Sequence, residues 1–185
     1  MITRRKFIST CGTIVCLSCF GSIFKLAAQN TSTQENTNKD EAFALQWITE
    51  LLDSLDAEHL TDSQLRNVVK SASQAHFDLL DVPAMVKDYV GKPEKFIEFL
   101  QNSWGWVITD NKSEHKLIVD ENKPVCVCPL LKNSADKLYP ALCYCSEGFA
   151  EKMFSAVYMH PVYVTVAASI QRGNPTCVYH IDYHE

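Results

Sequence analysis

The sequence predicts an α+β fold: N-terminal helices, then a hairpin–helix–hairpin run forming a four-stranded antiparallel sheet with helices packed on one face. Three observations predict it. Apolar residues recur at helical spacing from Phe43 to Leu100. The period shortens toward two after "SWGWVITD", at Trp104. The chain then closes on two β-rich runs, "VYVTVAASI" and "TCVYHIDY", separated by a turn.

Phe43, Trp47, Ile48, Leu51, Leu52 and Leu55 share a face and predict a first amphipathic helix. "TDSQ" opens a second, with Thr61 or Asp62 as cap and Gln64 or Leu65 beginning the first turn. Its expected buried stripe is Leu65, Val68, Val69, Ala72, His76 and Leu79, with His76 a packed histidine rather than a ligand. A third helix is expected from Pro93, using Phe96, Ile97 and Leu100. The first hairpin turns at Asp110–Ser113 and returns as "HKLIVDEN". "SEGFAEKMFSAVY" reads as the helix between hairpins. Ser146 is its expected cap, Glu147 sits in its first turn, and Phe149, Met153, Phe154 and Val157 share a face. "QRGNP", with Gly173, Asn174 and Pro175, turns the second hairpin. There is no internal repeat and no glycine-rich phosphate loop.

The bulk numbers narrow the function classes. With 46% hydrophobic residues over 185 positions, the chain can bury an ordinary single core. A net charge of -5 with scattered basic residues leaves no electrostatic footprint for nucleic acid. At the N-terminus, "MITRRKFIST" sets Arg4 and Arg5 before an apolar stretch from Phe7 to Phe24 that is studded with Gly, Ser and Thr. This pattern resembles a twin-arginine export signal, with cleavage expected near Ala28. The expected organisation is a signal peptide at 1–28, a polar disordered linker at 29–40 and one domain at 41–185. The protein would be exported to the periplasm or cell envelope and would meet the membrane only through the signal segment.

Outside the cytoplasm disulfides persist. Cys11, Cys16 and Cys19 fall in the signal, which leaves Cys126, Cys128, Cys143, Cys145 and Cys177, an odd number for a pure disulfide framework. Four of them form two C-x-C pairs within "CVCPLLKNSADKLYPALCYCSEGF".

The C-terminal half carries a W-G-W entry to a hairpin (Trp104 to Trp106) and a cysteine five residues before a glycine (Cys143, Gly148). It ends in a closing G-x-x-x-C-x-aromatic series (Gly173, Cys177, Tyr179). In this order the motifs resemble the 4-vinyl reductase type of domain, and the closing series is similar to the L-2-amino-thiazoline-4-carboxylate hydrolase family. The resemblance covers roughly Trp104 to Tyr183. It implies a vinyl-reductase-like domain that binds a small molecule, or a hydrolase of a small C–N ring compound. Some sensor relatives hold zinc through three cysteines and a glutamate. Cys143 and Cys177 stand at two of those positions, but Ser169 and Val166 occupy the other two, so the inherited site is incomplete.

Four roles for the thiols follow. As metal ligands, Cys143 and Cys177 with Cys126 and Cys128 would complete a tetrahedral zinc shell. As disulfides, the two C-x-C pairs would bridge, each contributing roughly 2–4 kcal/mol. As a nucleophile, Cys145 beside a helix N-terminus would favour a thiolate, with Glu147 as general base. In the fourth role they are small buried hydrophobes, Cys177 above all. Trp104, Trp106, Tyr144 and Phe149 are candidate pocket walls for a planar ligand, and Arg172 a candidate partner for its carboxylate. His180, Asp182 and His184 share one strand face and fit a solvent-facing edge better than a metal site. The expected partners are a small-molecule ligand or substrate and, in a homodimer, a second copy of the chain. A structural exported domain with bridged cysteines is the third reading.

Overall fold

The computed structural model describes residues 25–58, 60–131 and 138–184. The predicted signal segment lies outside these residues as far as position 24. Helix α1 spans Lys25–Ala57 and so includes residues 29–40, which were expected to be a disordered linker. That stretch lacks an apolar stripe, but once a helical turn exists each added residue contributes one hydrogen bond for little further ordering. Among the described residues no helix is long and apolar enough to cross a membrane.

Leu45–Glu185 forms one compact unit. Helix α2 spans Asp62–Leu79 and opens as predicted on a capping box: Thr61 accepts from the Gln64 N–H, and the Gln64 side chain accepts from the Thr61 N–H. Short helix α3, Val82–Val86, was not anticipated, and helix α4, Pro93–Phe99, was. A π-turn at Leu100–Trp104 leads to Gly105, whose φ of +72° is the left-handed bend that starts the hairpin. Strands β1 (Val107–Asn111) and β2 (Lys116–Asp120) form that hairpin, helix α5 spans Cys143–Tyr158, and strands β3 (Tyr163–Ala168) and β4 (Val178–Asp182) close the chain.

The sheet is antiparallel throughout in the order β1-β2-β4-β3, so the two hairpins join through β2 and β4. Alternation decides its faces. Leu117, Val119, Val164, Val166, Tyr179 and Ile181 point into the core, while Val107, Ile118 and Tyr163 face solvent. Against the inner face lie Met153, Phe154 and Val157 of α5, with Phe96 and Leu100 behind them. Helices α2 and α5 pack closely because position 148 is glycine. A Cβ there would stand 2.7 Å from both the Lys70 carbonyl oxygen and Ser73 Oγ.

Two predicted stripes are corrected. In α2, Val69 and Ser73 are the buried residues, whereas Val68 and Leu79 are exposed, because the helix turns its Val69–Ser73 side toward α5. Among the α1 residues whose burial is described, Leu52 alone is buried, against Tyr139 and Leu142, while Phe43, Trp47 and Leu51 are exposed.

Edge strand β3 is sealed from within. Its alternate N–H groups at Val166, Val164 and Val162 donate to Glu147 Oε2 (2.9 Å), Glu151 Oε2 (3.2 Å) and Ser155 Oγ (3.0 Å), three α5 residues spaced four apart.

Candidate ligand cavity lined by thiols

Helix α5 begins three residues earlier than predicted. Pro140 starts a 3₁₀ turn, Pro140–Leu142, that runs straight into the helix at Cys143, and no side chain caps it. Ser146 is therefore inside the first turns rather than at the cap. The helical rotation then decides which residues share a face. Cys143, Cys145, Ser146, Phe149 and Ala150 line one cavity of about 460 Å³, and Tyr144 and Glu147 do not.

Other segments complete its walls. Cys126 and Cys128 come from the connection after β2, Cys177 and Tyr179 from the entry to β4, and Trp104 and Trp106 from the entry to β1. His76 reaches in from α2 and stacks on Phe149 with ring centroids 4.4 Å apart. All five cysteines of the domain thus meet at one void, and all are free thiols. The two tryptophans pack edge to face at 5.0 Å.

Four of the thiols are held protonated. Burial pushes Cys128 up to about 11 and Cys177 up to about 11, and raises Cys143 and Cys145 as well. Cys143 Sγ donates to Ser169 Oγ at 3.1 Å, so the serine at the position where the resemblance expected a third cysteine does lie beside it. Among the described residues no group of three or more His, Cys, Asp and Glu is arranged to hold a metal ion. Cys126, Cys128, Cys143 and Cys177 share a cavity wall without forming a coordination shell.

The predicted acid–base pairing is corrected. Glu147 is fully buried and receives two hydrogen bonds from Arg66 Nη1, at 2.8 and 2.7 Å, with Lys70 Nζ at 3.4 Å. Its position, two residues beyond Cys145, turns it out of the cavity and toward α2 and β3, so it is not a base for that thiol. His160, His180 and His184 do not line the cavity, and Asp182 pairs instead with Lys116 at 3.3 Å. His76 does line it, and burial lowers its pKa, keeping it neutral.

Tyr144 and Arg172 are also corrected. Both line a separate cleft of about 480 Å³ with Asp62 and Arg66. Tyr144 does so because one residue along a helix rotates a side chain by roughly 100° from its neighbours, and Arg172 reaches it from the 3₁₀ turn Ile170–Arg172 after β3.

One residue was missed by sequence reasoning, and one feature of a second. Glu121, just after β2, lines the cavity and accepts from the Tyr179 hydroxyl at 3.0 Å; burial raises its pKa. Trp106 was expected as an apolar wall, but its polar atom matters more. The indole Nε1–H is buried and has no hydrogen-bond partner among the described residues. No local pattern marks an unsatisfied donor; only the assembled surroundings do.

Fold and cavity together define an α+β domain whose helix and sheet enclose a small thiol- and aromatic-lined chamber. Residues 24–185 match the model described as "Family of unknown function (DUF6144)", and the chain belongs to that family. No curated protein matches the chain. Among solved structures it is similar to the crystal structure of a trafficking protein particle complex subunit 3 from Naegleria fowleri covalently bound to palmitic acid. That likeness has 9% identity and a TM-score of 0.44, over 80% of this chain and 97% of the other.

Proposed function

We propose that the protein is an exported domain that binds a small, largely apolar molecule carrying a hydrogen-bond acceptor, in the cavity beside α5. The observation that carries this reading is the buried, unpartnered Trp106 N–H in the wall of a cavity of about 460 Å³. A buried donor without an acceptor costs roughly 1–3 kcal/mol. A ligand oxygen that met the Nε1–H as the indole turned it from its covered position toward the cavity would remove that cost. Neutral thiols and aromatic rings suit a soft, polarisable surface on the ligand.

A cysteine-held zinc ion is the second reading, favoured by one observation. Cys126, Cys128, Cys143 and Cys177 line the same cavity, so the four thiols are neighbours. The raised pKa values of Cys128, Cys143 and Cys177 oppose it, since zinc binds thiolates and their protons would have to be expelled. Hydrolysis through Cys145 has less support, because burial favours its thiol form and neither Glu147 nor His160 faces it.

The test uses the full chain purified without chelator, with metal analysis alongside titration of acetophenone followed by tryptophan fluorescence. We expect no stoichiometric zinc, a saturable fluorescence change, and loss of that change in Cys145→Phe, which fills the cavity. Stoichiometric zinc surviving dialysis would replace this reading with the metal one. No saturable binding and no metal would remove both.

A further inference from the structure

The second cleft lies beyond Tyr144, on the side of α5 away from the thiols, and its polar groups are unevenly matched. Arg66 is fully engaged: it holds buried Glu147 and contacts Asp62 at 3.4 Å. Arg172 is not. It is half-buried, rests on the Tyr144 ring with its guanidinium carbon 5.1 Å from the centroid, and donates from Nη1 to the Val166 carbonyl at 3.1 Å. That bond uses one donor of its five-donor fork at the edge of the cleft, where Asp62 acts on it through space. Arg66 sits on the same ring at 4.6 Å, so two guanidiniums crowd one aromatic face system.

The opposite charge is present a short way off. Asp62 lines the same cleft, and its side chain is 68% exposed. It accepts from the Tyr144 hydroxyl and from Arg66, and a carboxylate offers about four acceptor sites, so it can take another donor. The Tyr144 hydrogen bond holds its pKa below the ordinary range, which keeps it ionised. A second carboxylate, Asp53, also lines the cleft, and Leu52, Leu65, Leu138 and Pro140 supply its apolar wall.

From these observations we infer that the cleft is a binding site for a small zwitterion of the α-amino-acid type. Its carboxylate takes the free donors of Arg172, its ammonium lies against Asp62, and its side chain lies on the leucines and Pro140. A planar guanidinium fixed on a ring is pre-organised for a bidentate carboxylate. A plain anion would meet Asp62 as a like charge, and a plain cation would meet Arg172, so neither matches the cleft as well as a molecule bearing both signs. The site is independent of the thiol cavity and does not rest on the function proposed for it.

Isothermal titration of the full chain with L-leucine tests the inference. The comparison ligands are 4-methylpentanoate, which lacks the amine, and 3-methylbutylamine, which lacks the carboxylate. The expected result is saturable binding of L-leucine, with each analogue at least tenfold weaker, and loss of about tenfold or more in Arg172→Gln. Arg172→Lys should recover only part of it, because an ammonium keeps the charge but not the fork. The far-UV circular dichroism spectrum and the cooperative thermal transition should be retained in both variants, which separates loss of this site from misfolding. Three results would overturn the proposal: no binding of L-leucine or any other proteinogenic amino acid, undiminished binding in Arg172→Gln, or 4-methylpentanoate binding as well as the amino acid.

Discussion

The two faces of helix α5 differ in one physical respect: how completely their polar groups are satisfied. On the side toward α2 and β3, Glu147 and Glu151 meet Arg66 and Lys70, and their remaining lone pairs take the N–H groups of Val166 and Val164. On the cavity side, Cys145 has no hydrogen bond among those described, and the nearby Trp106 N–H has none. Buried charge on the first face is tolerable because it is answered at every valence. The second face leaves a donor unanswered and its thiols neutral around a void. A matched face explains how the protein folds, and an unmatched one points to what the fold is kept for.

The largest test of that contrast breaks the matched face. Glu147→Gln keeps the shape but removes the charge, leaving Arg66 partly buried beside a neutral amide and Lys70 reliant on Glu151 alone. Breaking a buried ion pair from one side costs roughly 3–5 kcal/mol, which would be a large part of the stability of a domain this size. Urea unfolding should show the midpoint drop accordingly, with acetophenone binding preserved while the protein remains folded. A loss below about 1 kcal/mol would mean the pair is a bystander and the contrast is false.

Much of the fold was readable from the sequence because it rests on local patterns. The Thr61–Gln64 capping box, the start of α4 at Pro93 and the two hairpins are each written within a few residues. The helix order and the antiparallel four-stranded sheet follow from them. What was not readable depended on register or on distant partners. Placing the start of α5 at Ser146 instead of Cys143 put Tyr144 and Glu147 at the wrong place on the helix relative to the cysteines. From that error came the expectation of Glu147 as a base and of Tyr144 beside Trp104, Trp106 and Phe149, whereas Arg172 was placed from its turn, which does not reveal the cleft it borders. The convergence of five cysteines was anticipated in outline, but the thiol protonation that burial imposes, and the orphan donor on Trp106, exist only in the assembled cavity. Exposed Phe43, Trp47 and Leu51 teach the same lesson from the other side: periodicity shows that a helix is amphipathic, not what covers it.

A smaller effect sharpens the unmatched face. If the Trp106 N–H is the ligand's anchor, a compound with a carbonyl should bind better than its hydrocarbon counterpart by one hydrogen bond. That is worth about 0.5–1.5 kcal/mol, or roughly three- to tenfold. Acetophenone against ethylbenzene is such a pair. Trp106→Phe keeps an aromatic ring but removes the donor, and the preference should disappear even if both compounds bind somewhat more weakly through the lost ring area. A preference that survives in Trp106→Phe would assign the carbonyl to another donor.

The smallest effect separates the two faces by pH. Burial raises the Glu121 carboxyl in the cavity wall above its ordinary 4.5, whereas the Tyr144 hydrogen bond lowers Asp62 on the α2 side below its ordinary 3.8. The signs are opposite. Where Glu121 is protonated in the folded state and already ionised in the unfolded chain, the folded state binds the extra proton. Its contribution is therefore whole below 4.5 and is lost as pH rises through the raised value. For Asp62 the unfolded chain binds the extra proton, so its contribution is present above 3.8 and is lost as pH falls through the lowered value. Glu121→Gln should flatten the decline of melting temperature above the carboxylate range and leave the acid limb unchanged. Asp62→Asn should blunt the acid limb and leave the other. If Glu121→Gln instead moved the acid limb, the carboxyl would be ionised in the folded protein, and the cavity wall would carry a fixed charge suited to a cationic ligand rather than a neutral acceptor.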